Sequence, residues 1–430
     1  MGYFQPVGSV AGGEEIYDEI NDVDGFSWQT YPHANHDSAL GNALAKSGIT
    51  KSSSQLIKKG SATKIETQTL YFCDQDSGYC GFIQFLNSSV LGGFYKSFEM
   101  NIKVFNVDKD RTNDSGSDNA SEYIDYWKNV KLKKPSVFTP LEVSNQNMRF
   151  IFRKQCDPSW DEDTVGKKQR SRNFYQGAEA VPNESRIGTL SVEGQTEELS
   201  ISLDVNIGKG FKIKPDGRSF FSRVPMRGNP NVDRCIRHVF APNCTGSGHI
   251  VVNSKKIKFH SVPMVLITAL QGLKPNSAAK SWNFAAFMSP RRTILCMEFT
   301  TPKEYGEQTV TISSDTNKIT SSQRIYCGIQ DKHKHVKHFG LTLDPKTGVE
   351  YPNIVEIPLP KKDGELCPTL LLGPLNLINV YDILQEMPTV LKGIVEKVEG
   401  INPYLYQFCQ RTEVDDERAI SLVETTFISP

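Results

Sequence analysis

The sequence lacks an excess of charge of either sign, and it lacks any long hydrophobic run. Its 49 Lys and Arg residues equal its 49 Asp and Glu residues, so no general electrostatic attraction draws the chain to nucleic acid or to an anionic membrane. No stretch approaches the roughly 18 apolar residues that cross a bilayer. Residues 1–24 also lack the basic and apolar regions of a signal peptide. These absences predict a soluble cytoplasmic protein with a neutral partner and no nucleic acid partner.

The sequence also lacks the short motifs that mark common enzymes. It contains no G-x-S-x-G, no H-E-x-x-H and no G-x-x-x-x-G-K-[ST]. Gly208-Lys-Gly210 lacks the third glycine of a dinucleotide fingerprint and is interpreted as a hairpin feature. The acidic runs 161–163 and 415–417 lie in polar contexts, where no burial separates the pKa values of an acid and a base. The sequence therefore predicts no enzyme and no cofactor.

Cysteine and histidine occur without a metal-binding pattern. The nine cysteines form no C-x-x-C pair, so we expect free buried thiols in a reducing compartment. Cys73 and Cys80 flank a predicted hairpin tip and are either incidental or a redox pair. His333, His335 and His338 stand among lysines, which disfavour a divalent cation. This segment is interpreted as a solvated basic stretch or a headgroup contact, and no metal site is predicted.

What the chain does contain is a repeated alternation of apolar and polar residues. Apolar side chains occupy every second position over 199–207 and over 98–104, which is the pattern of half-buried strands. Many such short strands favour a β-sandwich or a β-barrel. The 430 residues exceed the about 250 to 300 that one core accommodates, so two domains are expected.

The break at 223–233, with its Pro and Gly residues, places a domain boundary near Asp233. We therefore predict an irregular lead-in over 1–60, an N-terminal β-domain over 61–232 and a C-terminal β-domain over 233–430. One late segment has helical spacing instead. It predicts a short helix, kinked at Pro388, from the apolar residues Val380, Ile383, Leu384, Met387, Leu391, Ile394, Val395 and Val398.

Several segments resemble the survival factor 1 family of fungi in their order and approximate spacing. They lie within 65–408 and include 66–72, 81–85, 237–240, 269–275, Trp282-Asn283-Phe284, 297–302 and Pro403-Tyr404-Leu405-Tyr406-Gln407-Phe408. The resemblance implies an all-β protein of two lipocalin-like (calycin) β-barrel domains, with the predicted short kinked helix packed near the C-terminus.

The resemblance also implies a function. A protein of this family is expected to bind or transfer ceramide or another sphingolipid in the cytoplasm, to contact ER and Golgi membranes transiently and peripherally, and to support survival of oxidative stress. An amphipathic N-terminal helix that attaches to membranes is known in the family. Gly2, Pro6 and Gly8 oppose helix formation here, so this helix is not predicted for the present chain.

Six apolar residues are candidates for the wall of a lipid cavity: Trp282, Phe284, Phe287, Met264, Leu266 and Leu270. On a strand, Trp282 and Phe284 would share one face. Each buried methylene of an acyl chain gains roughly 0.8 kcal/mol against such side chains, and polar groups at the cavity mouth would fix the headgroup. Plain core packing explains the same residues and is the favoured interpretation, because buried aromatic side chains most often fill a core.

Two other functions remain open at this stage. Bacterial hydratases of carotenoids share a distantly similar double-lipocalin architecture, and a buried carboxylate would favour such a lipid-modifying enzyme. Glu298, between Met297 and Phe299, is the residue to inspect, although a Glu in this setting usually faces water. Alternatively, both barrels are filled by their own side chains and the protein is a ligand-free interaction module. A cavity too small for a two-chain lipid would favour that alternative.

Overall fold

The computed structural model describes residues 2–8, 16–31, 63–90, 95–108, 123–132, 135–155, 186–224, 234–320, 322–329, 335–360, 368–383 and 403–428. Within these ranges the chain is nearly all β. The helical elements there are single turns, namely the 3-10 helices Val23–Phe26 and Lys303–Tyr305 and the α-helix Pro275–Ala278. None of these helices is long enough to span a bilayer. The prediction of an all-β protein is confirmed.

The strands of the first sheet lie between Tyr3 and Gln271. Its strands are β1 (Tyr3–Gln5), β2 (Tyr17–Ile20), β3 (Lys64–Cys73), β4 (Tyr79–Val90), β5 (Tyr95–Asn106), β6 (Tyr126–Lys131), β7 (Val137–Phe138), β8 (Glu142–Ser144), β9 (Met148–Lys154), β10 (Arg186–Gln195), β11 (Leu199–Gly208), β12 (Gly210–Ile213), β13 (Arg218–Ser222), β14 (Cys235–Val252) and β15 (Lys255–Gln271). The main path runs β6-β5-β4-β3-β15-β14-β11-β10-β9-β8-β7. The alternating segments 98–104 and 199–207 lie in β5 and β11, as predicted.

The first sheet curls until strands from its two halves face each other. Phe85 on β4 and Phe150 on β9 have ring centroids 4.8 Å apart, although these strands are not neighbours in the sheet. The long strands β14 and β15 bend at two β-bulges. At one of them Gly248 has a φ of 138°, and a Cβ there would lie 2.0 Å from the carbonyl oxygen of Ser202. Only glycine fits this bend.

The interior of the first sheet is filled by an N-terminal plug, residues 22–31. Trp28 is 0% exposed, and its ring centroid lies 5.5 Å from that of Phe138. The carboxylate of Glu66 on β3 accepts the backbone N–H groups of Gln29, at 2.7 Å, and Thr30, at 2.8 Å. Side chains and hydrogen bonds therefore both hold the plug in place.

The N-terminal residues that the structure describes depart from the irregular lead-in predicted over 1–60. They form β1, β2 and the plug, because their apolar side chains complete a core whose other residues lie far along the chain. Residues 32–62 lie outside the described ranges. The helix is absent from residues 2–8, as predicted, since Tyr3–Gln5 pairs as a strand with β13.

The second sheet follows the first along the chain. Its strands are β16 (Ser281–Met288), β17 (Arg292–Thr300), β18 (Thr309–Asn317), β19 (Ser322–Ile329), β25 (Leu377–Asp382), β26 (Tyr404–Val414) and β27 (Glu417–Phe427), in the order β19-β18-β17-β16-β27-β26-β25. The strands β20 (Lys337–Phe339), β23 (Ile354–Pro358) and β24 (Thr369–Leu372) form a separate small sheet, and β21 (Thr342–Leu343) pairs with β22 (Glu350–Tyr351).

The small sheet covers one face of the second sheet, which we call the inner face. Phe287 and Ile294 of the inner face pack with Val355, Ile357 and Leu372 of the small sheet. No strand of the small sheet pairs with a strand of the second sheet in the part of the chain that the structure describes. Side chains, rather than a backbone ladder, therefore hold this layer in place.

The opposite, outer face of the second sheet packs against the first sheet. The ring of Phe284 stacks on that of Tyr71 with centroids 4.9 Å apart, and the Tyr71 hydroxyl donates to the carboxylate of Glu424 at 3.2 Å. Arg411 donates two hydrogen bonds to Asp108, at 2.8 and 2.6 Å. The two sheets thus share a core as well as polar contacts.

The division between the sheets differs from the boundary predicted near Asp233. β14 pairs with β11 and β15 pairs with β3, so both strands complete the first sheet rather than open the second. The chain changes sheets between Gln271 and Ser281. The local composition of the Pro- and Gly-containing break does not reveal which strands the following segment pairs with.

The predicted late helix begins in a segment that is a strand. Val380 lies in β25 and pairs with Tyr406 of β26, so backbone pairing overrides the apolar spacing there. The remainder of the predicted helix, 384–400, lies outside the described residues.

Candidate functional site

A narrow pocket lies between the inner face of the second sheet and the small sheet. The space between its walls is too narrow to hold a water molecule. The walls are mostly apolar and are formed by Ala285, Cys296, Val336, Val355, Ile357 and Val423, with Phe284 at the edge and Asn283 and Thr425 at one end. The polar residues are therefore confined to a single end of an apolar space.

The two polar lining residues, Asn283 and Thr425, belong to a row of side chains that crosses four neighbouring strands. Thr425 pairs with Asn283, Asn283 pairs with Glu298, and Glu298 pairs with Thr311. Residues that lie directly opposite each other in an antiparallel sheet point to the same face. We call Thr425, Asn283, Glu298 and Thr311 the polar row.

Glu298 is the most connected member of the polar row. One carboxylate oxygen accepts from the Thr311 hydroxyl at 2.6 Å and from the Val336 backbone N–H at 2.8 Å, and the other accepts from the Asn283 amide at 3.2 Å. The residue is 4% exposed. Burial raises its pKa, an effect that these hydrogen bonds oppose. The expectation that Glu298 faces water is therefore wrong, because register places it on the covered face.

Two histidines of the predicted basic stretch reach the polar row. His335 Nδ1 lies 3.7 Å from the Glu298 carboxylate, and His338 Nε2 is 3.0 Å from the Asn283 side-chain oxygen. Burial lowers the pKa of His338, which favours the neutral ring. These two residues are thus partly rather than fully exposed, whereas His333 lies outside the described residues. Among the described residues no group of three His, Cys, Asp or Glu side chains is arranged to hold a metal ion.

Thr425 is the buried threonine that lines the pocket. It is 1% exposed, and its hydroxyl has no hydrogen-bond partner within the described ranges. Most buried polar side-chain atoms in proteins have a partner. This hydroxyl therefore marks a point where the pocket can accept a polar group.

The six residues predicted to line a lipid cavity lie in different parts of the structure. Met264 and Leu266 are buried inside the first sheet, and Leu270 lies further along the same strand. Trp282 and Phe284 belong to the core between the two sheets, whereas Phe287 lies on the inner face. Phe284 alone among the six touches the pocket. Their role in lipid binding stays a prediction.

Sequence reasoning singled out Glu298 but missed Asn283, Thr311 and Thr425 as partners in a site. Each is a polar residue inside a strand with many apolar positions, and no sequence pattern distinguishes it from other polar strand residues. Only the pairing of four strands from distant parts of the chain puts them in one row.

A second, wider cleft opens at the hairpin between β26 and β27. It has about 820 Å3 of empty space and is lined by Gln75, Arg411, Thr412, Glu413, Arg418 and Ala419. Arg411 is engaged by Asp108, and Arg418 and Glu413 are exposed to solvent. This charged, open surface offers little for the binding of an apolar chain.

The fold and site define a class, namely an all-β protein with a covered apolar pocket that ends in a row of polar side chains. The sequence profile of the Svf1 family matches residues 2–429. The chain therefore belongs to the Svf1 family.

Individual relatives agree with this assignment. An SVF1-like protein of Saccharomyces cerevisiae is 32% identical, with 96% of this chain and 93% of the relative covered. A second SVF1-like protein of that yeast is also 32% identical, with 99% and 97% covered. The ceramide-binding protein SVF1 of Candida albicans is 29% identical, with 85% of each chain covered.

Comparison with solved structures gives weaker matches. An AttH-like protein from Nitrosomonas europaea has a TM-score of 0.46 at 9% identity, with 86% of this chain and 93% of that one covered. Kievitone hydratase from Nectria haematococca has a TM-score of 0.43 at 11% identity, with 84% and 88% covered. The family assignment rests on the sequence comparisons.

Proposed function

We propose that this protein binds ceramide or a related sphingolipid in the pocket beneath the small sheet and transfers it between membranes. The observation that carries the proposal is the composition of the pocket, with apolar walls and a polar row confined to one end. A sphingolipid has the matching division into apolar chains and a hydrogen-bonding headgroup. Relatives named as ceramide-binding proteins support the same ligand class.

The proposal requires the small sheet to move. Pockets for small molecules usually measure about 300 to 1,000 Å3, whereas the closed pocket has no room even for a water molecule. Within the described residues, lifting the small sheet would break no backbone ladder with the second sheet. The polar contacts that it would release include Val336 with Glu298 and His338 with Asn283. Such a layer can serve as a lid.

The wider role proposed here follows the family resemblance. It includes a cytoplasmic location, transient peripheral contact with ER and Golgi membranes, and a link to survival of oxidative stress. A carrier that loads its ligand at a membrane needs such contact only while the lid is open.

Lipid extraction tests the proposed function directly. The protein is purified under mild conditions and its bound lipids are identified by mass spectrometry, with an unrelated β-protein prepared in parallel. We expect ceramide to co-purify in near-stoichiometric amount. A folded protein with no lipid above the parallel sample would reject a stable carrier, and it would support the ligand-free interaction module, which the small closed pocket also favours.

Protection of Cys296 tests the location of the ligand. Cys296 lines the pocket, and burial together with the nearby Glu298 raises the pKa of its thiol, so alkylation should await lid opening. Ceramide at ten times its Kd should slow this alkylation about tenfold, because only about one molecule in eleven stays unliganded. Peptide mapping measures the rate. Cys327, half-buried on the outer face, is the internal control; equal slowing of both thiols would place the ligand elsewhere.

Glu298 also favours a second candidate, a lipid hydratase. A buried carboxyl beside a histidine can donate a proton to an olefin and accept one back from water. The net reaction would be the addition of one water molecule across a double bond. Mass spectrometry of unsaturated lipids incubated with the protein distinguishes the candidates, since an enzyme yields a product heavier by one water and a carrier returns its ligand unchanged.

A further inference from the structure

We propose that Thr425, Asn283 and Glu298 form the headgroup subsite of the pocket, and that this subsite selects neutral amide- and hydroxyl-bearing lipids over anionic ones. This selectivity rests on the proposed function, because it concerns the ligand of the same pocket. The three residues are adjacent in register on β27, β16 and β17, so one headgroup can reach all of them.

The unpaired hydroxyl of Thr425 is one hydrogen-bonding group that the subsite offers to a headgroup. It is buried at the pocket end and has no partner among the residues that the structure describes. Water cannot supply the partner in the closed pocket, which is too narrow to hold it. A hydroxyl or amide of the ligand, admitted when the small sheet lifts, would supply the missing hydrogen bond.

The carboxylate of Glu298 is the group of the subsite that would distinguish neutral from anionic headgroups. Its carboxylate already accepts three hydrogen bonds, and it can accept another from an amide N–H or a hydroxyl of a ligand. An anionic headgroup at the same point would face this carboxylate across a space without water, where like charges repel strongly. The site would therefore exclude fatty acids and lipid phosphates by repulsion as well as favour ceramide by hydrogen bonding.

Among the described residues, Lys337 does not offset this repulsion. Lys337, beside His338 in the chain, pairs with Glu356 at 2.7 Å, and both residues alternate with the inward-facing His338 and Val355, so they lie on the outward side of the small sheet. His335 is the titratable donor that faces Glu298. Among the described residues, the groups at the polar row that can carry a charge are thus the Glu298 carboxyl group and the His335 ring.

The chain offers matched controls for both residues. Glu424 is a partly buried acid with a raised pKa, but it lies on the outer face, where it accepts from Tyr71 of the first sheet and Gln407 of β26. Thr293 is another fully buried threonine whose hydroxyl has no partner in the described part of the chain. It lies on the outer face, one position from the inner-face residue Ile294. Glu424→Gln and Thr293→Val thus repeat the chemical changes outside the pocket.

The test is a competition assay with a fluorescent ceramide analogue, in which ceramide, ceramide phosphate and a free fatty acid displace the probe. We expect the unmodified protein to prefer ceramide to both anions. Glu298→Gln should narrow that preference about tenfold, and Thr425→Val should weaken ceramide binding about fivefold, as expected for one hydrogen bond. Glu424→Gln and Thr293→Val should leave both quantities unchanged. Thermal unfolding confirms that each variant is folded.

The outcomes separate the two proposals. Absence of ceramide binding by the unmodified protein would overturn the proposed function itself. Ceramide binding without preference over the anions would leave that function standing and overturn the selectivity, even if no variant folds. Folded Glu298→Gln and Thr425→Val variants that behave like their controls would overturn the assignment of the subsite.

Discussion

Replacing Trp28 by alanine is expected to lower the free energy of unfolding by about 3 to 5 kcal/mol, the usual range for removing a large buried aromatic side chain. Trp28 is 0% exposed, and its ring contacts Phe98, Phe138 and Phe150 on three strands of the first sheet. The cavity left behind would lie in the centre of the plug, where backbone hydrogen bonds to Glu66 restrict collapse.

Urea denaturation followed by circular dichroism measures this effect. Phe339→Ala is the control, because Phe339 is a large aromatic residue that is 42% exposed, and its loss should change stability by less than about 0.5 kcal/mol. Equal, small effects of both substitutions would show that the plug does not fill the first sheet. A large effect of Trp28→Ala alone would support a filled first sheet and leave the pocket of the second sheet as the place for a ligand.

Replacing Asp315 by asparagine is expected to lower the free energy of unfolding by about 2 kcal/mol at neutral pH, since it removes the buried carboxylate that pairs with Arg292 and leaves that side chain with Asp415 as its remaining ion-pair partner among the described residues. The Asp315 side chain is 5% exposed and accepts two hydrogen bonds from Arg292, at 2.8 and 3.0 Å. It also contacts Arg324. This cluster joins β17, β18 and β19 at the edge of the second sheet.

The effect of Asp315→Asn should depend on pH in a defined direction. Burial alone raises the pKa of Asp315, but the hydrogen bonds and charges of Arg292 and Arg324 outweigh it and the net pKa is lowered from 3.8. A carboxyl group whose folded-state pKa is lowered stabilises the protein above its unfolded-state pKa, and that contribution is lost as the pH falls through the folded-state value. The difference between the two proteins should therefore narrow below about pH 4.

Denaturation curves at several pH values measure this difference. The control is Glu193→Gln, which removes an exposed ion pair with Arg149 whose side chains are 46% and 51% exposed. It should change stability by less than about 1 kcal/mol at any pH. A cost of Asp315→Asn that is the same at pH 3 and pH 7 would contradict the buried ion-pair cluster.

The two stability predictions concern different layers from the ligand proposal. Trp28 lies inside the first sheet and Asp315 at an edge of the second, whereas the polar row lies beneath the small sheet. Since distant sites usually contribute independently to stability, losses at Trp28 or Asp315 should not by themselves change the preference between ceramide and anionic lipids.

Much of the strand content was predictable from the sequence because alternation is a local property. The segments 98–104 and 199–207 show their strands directly, since burial of one sheet face demands an apolar residue at every second position. The strand at 377–382 was not predictable in this way, because the apolar residues that begin there are spaced as in a helix. Its conformation is set by pairing with β26. Local spacing cannot report a partner that is supplied by another segment.

The candidate site was predictable only in part. Glu298 attracted notice as an acid among apolar residues, but its burial and its neighbours depend on strands and on a covering layer that come from elsewhere in the chain. Trp282 and Phe284 were correctly placed on one strand face, and yet that face meets the first sheet rather than a pocket.

The sequence by itself determined the all-β class, the family and most of the individual strands, because these follow from residue alternation and from residues read in order. The tertiary structure alone decided where the sheets divide, that the N-terminal plug fills the first sheet, and that Thr425, Asn283, Glu298 and Thr311 form one row beneath the separate small sheet. These features depend on register between strands that are distant in the chain, and a shift of one residue in any strand would turn its member of the row to the opposite face.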